Sequence, residues 1–215
     1  NNIVNKNKVS RIPGSGINLE VFSFNKPVAA SANTFTFLLL ARLLWDKGVG
    51  EYVEAAKSIK QKFPNVKFQL LGFLDVKNPT AISQSQLNQW VENGLVEYLG
   101  VTDDVKPYLI LADCIVLPSY REGVPRTLLE AAAIGRPIVA SDVPGCKDVV
   151  THGKNGFLCN VKDSTDLTEK MQDMILLPYQ HRLEFAMQGR LKIEAEFDEN
   201  IVIKKYLDVI DNLIG

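Results

Sequence analysis

Two cations and two carboxylates, carried on two separate stretches of the chain, have the types and spacing to grip a phosphorylated ligand. Arg42 and Lys47 fall in Ala41-Arg42-Leu43-Leu44-Trp45-Asp46-Lys47-Gly48, between an apolar run and a stretch of helical periodicity. At such a strand-to-helix turn, free amides and the helix dipole favour an anion. The competing reading is a pair of solvated surface charges. Glu122 and Glu130 fall in the second stretch, Ser119 to Ala133. Pro125 suits a first helical position, where its missing N–H is not needed. A helix starting there places Glu130 about 7 Å along the axis and leaves Glu122 in the loop. Glu130 then has two options. It makes an i,i+4 ion pair with Arg126 on an exposed face, or it points into the packed surroundings of Leu128, Leu129 and Ala131 to Ala133. In the second case a ligand's hydroxyls could supply the donors a buried carboxylate needs. A third stretch, Arg11-Ile12-Pro13-Gly14-Ser15-Gly16-Ile17-Asn18, is turn chemistry. Its Gly-x-Gly lacks a third glycine and points first to a structural turn.

The elements that would position these residues alternate along the chain. Phe35–Leu40, Val66–Leu71, Val96–Leu99, Cys114–Leu117 and Pro137–Ala140 are short apolar runs typical of strands buried on both faces. Val49, Val53, Ala56, Ile59 and Phe63 mark a first helix closed by Pro64. Leu87, Trp90 and Val91 mark a second, ending near Asn93-Gly94, and Val105, Tyr108 and Leu109 a short third capped by Asp103 or Thr102. Leu167, Met171, Met174 and Ile175 mark a helix capped near Asp163, and Ile203, Leu207, Ile210 and Ile214 the last. Strands separated by helices predict an α/β fold, a doubly wound, Rossmann-like parallel sheet with helices on both faces. Such sheets bind ligands beyond the carboxyl ends of their strands, so the loops after Leu40, Leu71, Leu99, Leu117 and Ala140 are where chemistry is expected.

Composition narrows the possibilities. The 215 residues carry 24 Lys plus Arg against 25 Asp plus Glu, so the strong basic field of a duplex nucleic-acid binder is absent. Three cysteines and two histidines, all widely spaced, give neither a disulfide framework nor a metal cluster, and a reducing compartment is the expectation. No run approaches the roughly 18 apolar residues of a membrane span. The polar opening Asn1 to Ser10 is no signal peptide and suggests a start inside something longer.

Taken together, these stretches resemble a known family. The E-x7-E spacing of Glu122 and Glu130, within REGVPRTLLEAAAIGRPIVASDVPG, resembles the signature of the family-four retaining glycosyltransferases. ARLLWDKG is similar to their G-R-L-x-x-x-K-G motif, IPGSGINLEVF to their P-N-G-V-D-x-x-x-F segment, and YLGVTDD lies between in the family's order. The resemblance implies one half of a two-domain GT-B architecture. Residues 31–215 would be the nucleotide-sugar (donor) domain, and residues 1–30 a segment leading from a missing amino-terminal domain.

Carried onto this sequence, the family pattern gives Arg42 and Lys47 the donor diphosphate and Glu130 the two ribose hydroxyls. Glu122 contacts the transferred sugar and is an orienter rather than a nucleophile. Gly123, Val124, Arg126, Thr127 and Gly16 line the donor site, and Val101 meets the base. The family implies metal-independent transfer with retention of configuration and no cofactor beyond the nucleotide-diphosphate sugar, UDP being the commonest base. Further expectations are a glycan or lipid-linked acceptor bound through the missing half and a cytoplasmic location, with any membrane contact made by that half. The fragment alone is expected to be inactive. Ala41, Pro125 and Arg126-Thr127 depart from the common pattern. The resulting E-G-x-P-R variant resembles the bacterial branch that builds surface polysaccharides. His152, in His152-Gly153-Lys154-Asn155-Gly156, resembles a structural turn. Alternatives from other classes are a non-catalytic binding or regulatory module and a GT-B-like sugar-nucleotide epimerase.

Overall fold

A computed structural model describes residues 14, 16–29, 34–74 and 77–214. The expected strands form at β1 (Thr36–Leu40), β2 (Lys67–Leu71), β3 (Glu97–Tyr98), β4 (Cys114–Leu117) and β5 (Ile138–Ser141), joined by a sixth, β6 (Gly156–Cys159). All pair in parallel in the order β3-β2-β1-β4-β5-β6. The doubly wound α/β sheet expected from the alternation is therefore the fold. Its direction of winding reverses between β1 and β4, which is where sheets of this kind open a crevice.

Both faces of the sheet are covered, which is why its strands are apolar throughout. Phe37 and Leu39 of β1 face α1 (Val49–Lys62) and α6 (Ser164–Leu176), in one cluster with Tyr52, Val53, Leu167 and Met171. Leu38 points the other way, with Ile115 and Leu117, toward α4 (Arg126–Ile134) and α5 (Pro144–Val149). Each fully buried Leu or Phe contributes about 1.5–3 kcal/mol. The Tyr52 hydroxyl, buried beneath the sheet, donates to the carbonyls of Phe37 and Gln69 at 3.0 and 3.2 Å. The remaining helices are α2 (Gln84–Glu92), α3 (Lys106–Leu111), α7 (Tyr179–Glu196) and α8 (Glu199–Ile214).

Several local expectations hold. The Asp163 carboxylate caps α6 by accepting from the amides of Thr165 and Asp166. Helix α2 ends at Asn93, as the Asn93-Gly94 pair suggests. Others need correction. Pro125 is the residue before the first helical one: its ψ of 119° is extended, and α4 begins at Arg126. Helix α3 begins at Lys106, later than a cap at Asp103 or Thr102 requires. Thr102 Oγ1 instead accepts from the Asp104 amide, and Asp104 Oδ1 accepts from the Lys106 amide. Helix α8 forms, but Ile203, Leu207 and Ile210 remain about half exposed while Val202 is buried.

Residues 16–29 are stitched to the sheet's second face. Ile17 is buried and its amide donates to Phe197 O. Arg136, only 2% exposed, donates to the carbonyls of Leu109, Ile110, Gly135 and Asn25 and to Asn25 Oδ1. Burial pushes its pKa down to about 10, which leaves it charged at neutral pH. Arg136→Met strands several of these carbonyls without donors. It is expected to destabilise the fold by about 2 kcal/mol, read as a lower urea midpoint at unchanged slope.

Cys114, Cys146 and Cys159 are all buried and unpaired. Burial raises the thiols of Cys146 and Cys159 to about 12. A thiol reagent is therefore expected to leave all three unmodified in the folded protein and to label them after unfolding.

Candidate active site

The stretch 41–48 follows β1 and the stretch 118–125 follows β4, so the two motif loops flank the point where the winding reverses. Several contacts hold them together. The Tyr120 amide donates to Asp46 O at 2.9 Å. Gly48, at φ +71°, lies so close to β4's end that a Cβ there would meet Pro118 O at 2.2 Å. Thr127 Oγ1 donates to Leu40 O at 3.2 Å, which fixes the first turn of α4 against the end of β1.

This framework brings the second cation and the first acid together. Lys47 Nζ lies 2.5 Å from Glu122 Oε1, with both side chains largely sequestered from solvent. Glu130 lies on the first turns of α4 and is 8% exposed. Arg126 Nε donates to its Oε1 at 2.8 Å, so the i,i+4 pair forms. The Arg126 side chain is 68% exposed, however, and such a partner contributes little. The two sequence alternatives for Glu130 are thus realised together: an ion pair to a solvated arginine, and a carboxylate set in a packed environment. Burial raises the Glu130 pKa, and Arg126 offsets only part of that.

Arg42 is exposed on the loop just past β1, at the same rim. Gly123 is exposed, and a Cβ on it would meet nothing within 4 Å, so the loop borders open space there. Val124 approaches the leading segment through Gly14, whose Cβ would lie 3.3 Å from that of Val124. Gly16 packs on the start of α8, where a Cβ on it would meet Glu199 Cα at 2.7 Å. Val101, 62% exposed, follows Gly100 beyond β3, at the same end of the sheet but on its far edge. Nδ1 of His152 accepts from the Leu158 amide at 3.0 Å, which ties the turn to β6. Among the described residues, no group of three or more His, Cys, Asp or Glu side chains is placed to hold a metal ion, and no helix is long and apolar enough to cross a membrane.

Two contributors escape sequence reasoning. Gly145, at the start of α5, abuts the Glu122 loop so closely that a Cβ would meet Gly123 O at 1.1 Å and Glu122 O at 2.7 Å. The DVPG run contains it, but only the fold shows what it touches. Ser119, two residues past the end of β4, is fully buried with a hydroxyl that has no hydrogen-bond partner.

A doubly wound sheet with acids and cations from the two motif loops at its reversal point defines the class: an α/β protein whose charged motif residues flank the junction of β1 and β4. Comparison with known proteins gives the family. The family described as glycosyl transferases group 1 matches residues 34–176, and the chain belongs to it. An N-acetylgalactosaminyltransferase of Campylobacter jejuni, named for an N,N'-diacetylbacillosaminyl-diphospho-undecaprenol substrate, is 35% identical over 97% of this chain and 56% of its own length. The amylovoran biosynthesis glycosyltransferase AmsK of Erwinia amylovora is 29% identical over 82% of this chain and 44% of its own. The chain thus spans about half the length of the curated relatives it matches. Among solved structures, sucrose-phosphate synthase from Thermosynechococcus elongatus superposes with a TM-score of 0.80 at 24% identity, covering 95% of this chain and 52% of that one. Anabaena HepE in complex with UDP and glucose gives 0.75 at 21% identity, covering 91% and 55%. These two likenesses concern the fold.

Proposed function

We propose that this chain is the donor-binding part of a retaining, metal-independent hexosyltransferase that takes a nucleotide-diphosphate sugar, UDP being the expected base. The observation that carries the reading is the meeting of Lys47 and Glu122 at the reversal point, with buried Glu130 one helix turn further along. Solved neighbours of the same fold with UDP bound support the choice of nucleotide. Names of relatives in polysaccharide and undecaprenol-linked synthesis support a glycan or lipid-linked acceptor.

In this reading Arg42 and Lys47 take the diphosphate, helped by the first free amides of α4. As the bond between the sugar's anomeric carbon and the diphosphate breaks, negative charge collects on the leaving oxygens. Lys47 is already held in place for it by Glu122, so little reorganisation is needed. Glu122 also orients the sugar, and Glu130 accepts from the ribose hydroxyls. The departing diphosphate takes the acceptor hydroxyl's proton as that oxygen attacks from the same face, which retains configuration.

The test is a calorimetric and thermal-shift panel across UDP, GDP, ADP and their sugars. Ligand at 100 times its dissociation constant is expected to add about 2.7 kcal/mol of stability. Glu122→Ala and Glu130→Ala in the native full-length protein separate a transferase from a passive module, which would keep its function. A panel in which no nucleoside diphosphate binds rejects the reading.

A further inference from the structure

The contact between Lys47 and Glu122 joins two loops, and neither residue sets the distance between those loops. Tyr120 does have the contacts to set it. It lies two residues before Glu122, and its amide donates to Asp46 O, beside Lys47. Its hydroxyl reaches past the loop to α1 and donates to Glu51 Oε1 at 2.7 Å. Glu51 lies in the first turn of the helix that Lys47 leads into. One side chain thus spans from the acid's loop to the cation's helix. We propose that Tyr120 is the positioning residue of this site: anchored on Glu51, it holds the Glu122 loop at the separation at which Glu122 meets Lys47. The assignment rests on the reading of the site given above and adds a residue to it.

Two further features single out this contact. Glu51 Oε2 is buried with no hydrogen-bond partner, which makes the tyrosine hydroxyl the hydrogen bond that Glu51 does make. Lys162 Nζ lies 4.7 Å from the centre of the Tyr120 ring, within cation–π range. Lys162 also has a φ of +60°, the one positive value outside glycine among the described residues. A lysine adopts that conformation only where its surroundings enforce it. The tyrosine is therefore held at its hydroxyl by α1 and against its ring by the turn that precedes α6. Both contacts are to protein groups, and in this assignment Tyr120 acts through Glu122 rather than on the ligand.

The experiment uses the native full-length protein and follows UDP release from UDP-glucose, UDP-galactose, UDP-N-acetylglucosamine and UDP-N-acetylgalactosamine, continuing with the fastest. Tyr120→Phe keeps the ring and removes the hydroxyl. It is expected to lower kcat by on the order of 100-fold, as misplacement by about 1 Å does, with UDP affinity held within about threefold. Glu51→Ala is expected to match it, and the double variant to be no worse than either single one, since both cut the same tether. Glu51→Gln still offers an acceptor oxygen and is expected to restore most of the turnover. A merely structural tyrosine would lower UDP affinity, melting temperature and turnover together; that pattern overturns the proposal, as does a Phe variant with the parent's kcat. Should Tyr120→Phe fail to fold, the Glu51→Ala and Glu51→Gln pair decides alone: equal turnover in the two overturns the assignment. A parent that binds none of UDP, GDP and ADP rejects the reading of the site, and this assignment with it.

Discussion

Replacing Lys47 with alanine is expected to lower kcat/KM for sugar transfer by about 100-fold or more, the loss typical of one preorganised group facing developing charge. Two effects combine. The leaving diphosphate loses a positive charge, and Glu122, whose Oε1 lies 2.5 Å from the ammonium, loses its partner in a sheltered place. A carboxylate left there would repel the incoming diphosphate as well. The effect should therefore appear in kcat as well as in KM. Lys47→Arg is not expected to restore the rate, because the planar guanidinium cannot occupy the position of a compact ammonium held by one carboxylate oxygen. A Lys47→Ala enzyme within about threefold of the parent would remove Lys47 from the diphosphate site.

Glu130→Gln is expected to bind UDP about tenfold or more weakly and yet to melt at a higher temperature than the parent. Hydrogen bonds from ribose hydroxyls to a carboxylate are charge-assisted, and the amide forfeits that strength. The stability gain comes from the same burial. Glu130 is 8% exposed, and the cost of desolvating its charge raises its pKa above the usual value of 4.5. The sign follows from proton linkage. A carboxyl with a raised folded-state pKa contributes stability that is fully present below its unfolded pKa and lost as pH rises through the folded value. At neutral pH the parent therefore carries a buried charge that the glutamine variant lacks. The melting-temperature advantage of Glu130→Gln should be greatest near neutrality and shrink as pH falls toward 4.5. Paired melting curves across that range check it, and an advantage that grows toward acid would contradict the burial argument. The exposed Arg126 does not cancel the effect, being too well solvated to stabilise the charge strongly.

How far this site is legible without coordinates depends on the type of signal. The strands were readable because both faces of the sheet are covered, which turns them into unbroken apolar runs such as Phe37-Leu38-Leu39. Strand β6 was not, because Gly156-Phe157-Leu158-Cys159 is short and opens on a glycine. Helix α7 was invisible for a related reason. Its buried face consists of Phe185, Ala186, Gly189 and Ile193, half of it small residues, so no strong apolar period marks it. Helix α8 misled in the opposite sense: Ile203, Leu207 and Ile210 have helical spacing without being core.

Site residues followed the same division. Arg42, Lys47, Glu122 and Glu130 stand out because charged side chains beside apolar strands are conspicuous in sequence. That β1 and β4 are neighbours at the reversal of winding is a property of strand order alone, and the pairing of Lys47 with Glu122 depends on it. Gly145 and Tyr120 act through contacts with residues more than 20 and nearly 70 positions away respectively, as the separation of 69 between Tyr120 and Glu51 illustrates. No local pattern encodes such distances.

The most direct test of the central claim is a crystal structure of the protein with UDP bound. The diphosphate is expected between β1 and β4, its oxygens within hydrogen-bond reach of Arg42 and Lys47, with both ribose hydroxyls donating to Glu130. A nucleotide seated away from the β1–β4 crevice, or a ribose that leaves Glu130 paired with Arg126 alone, would contradict it.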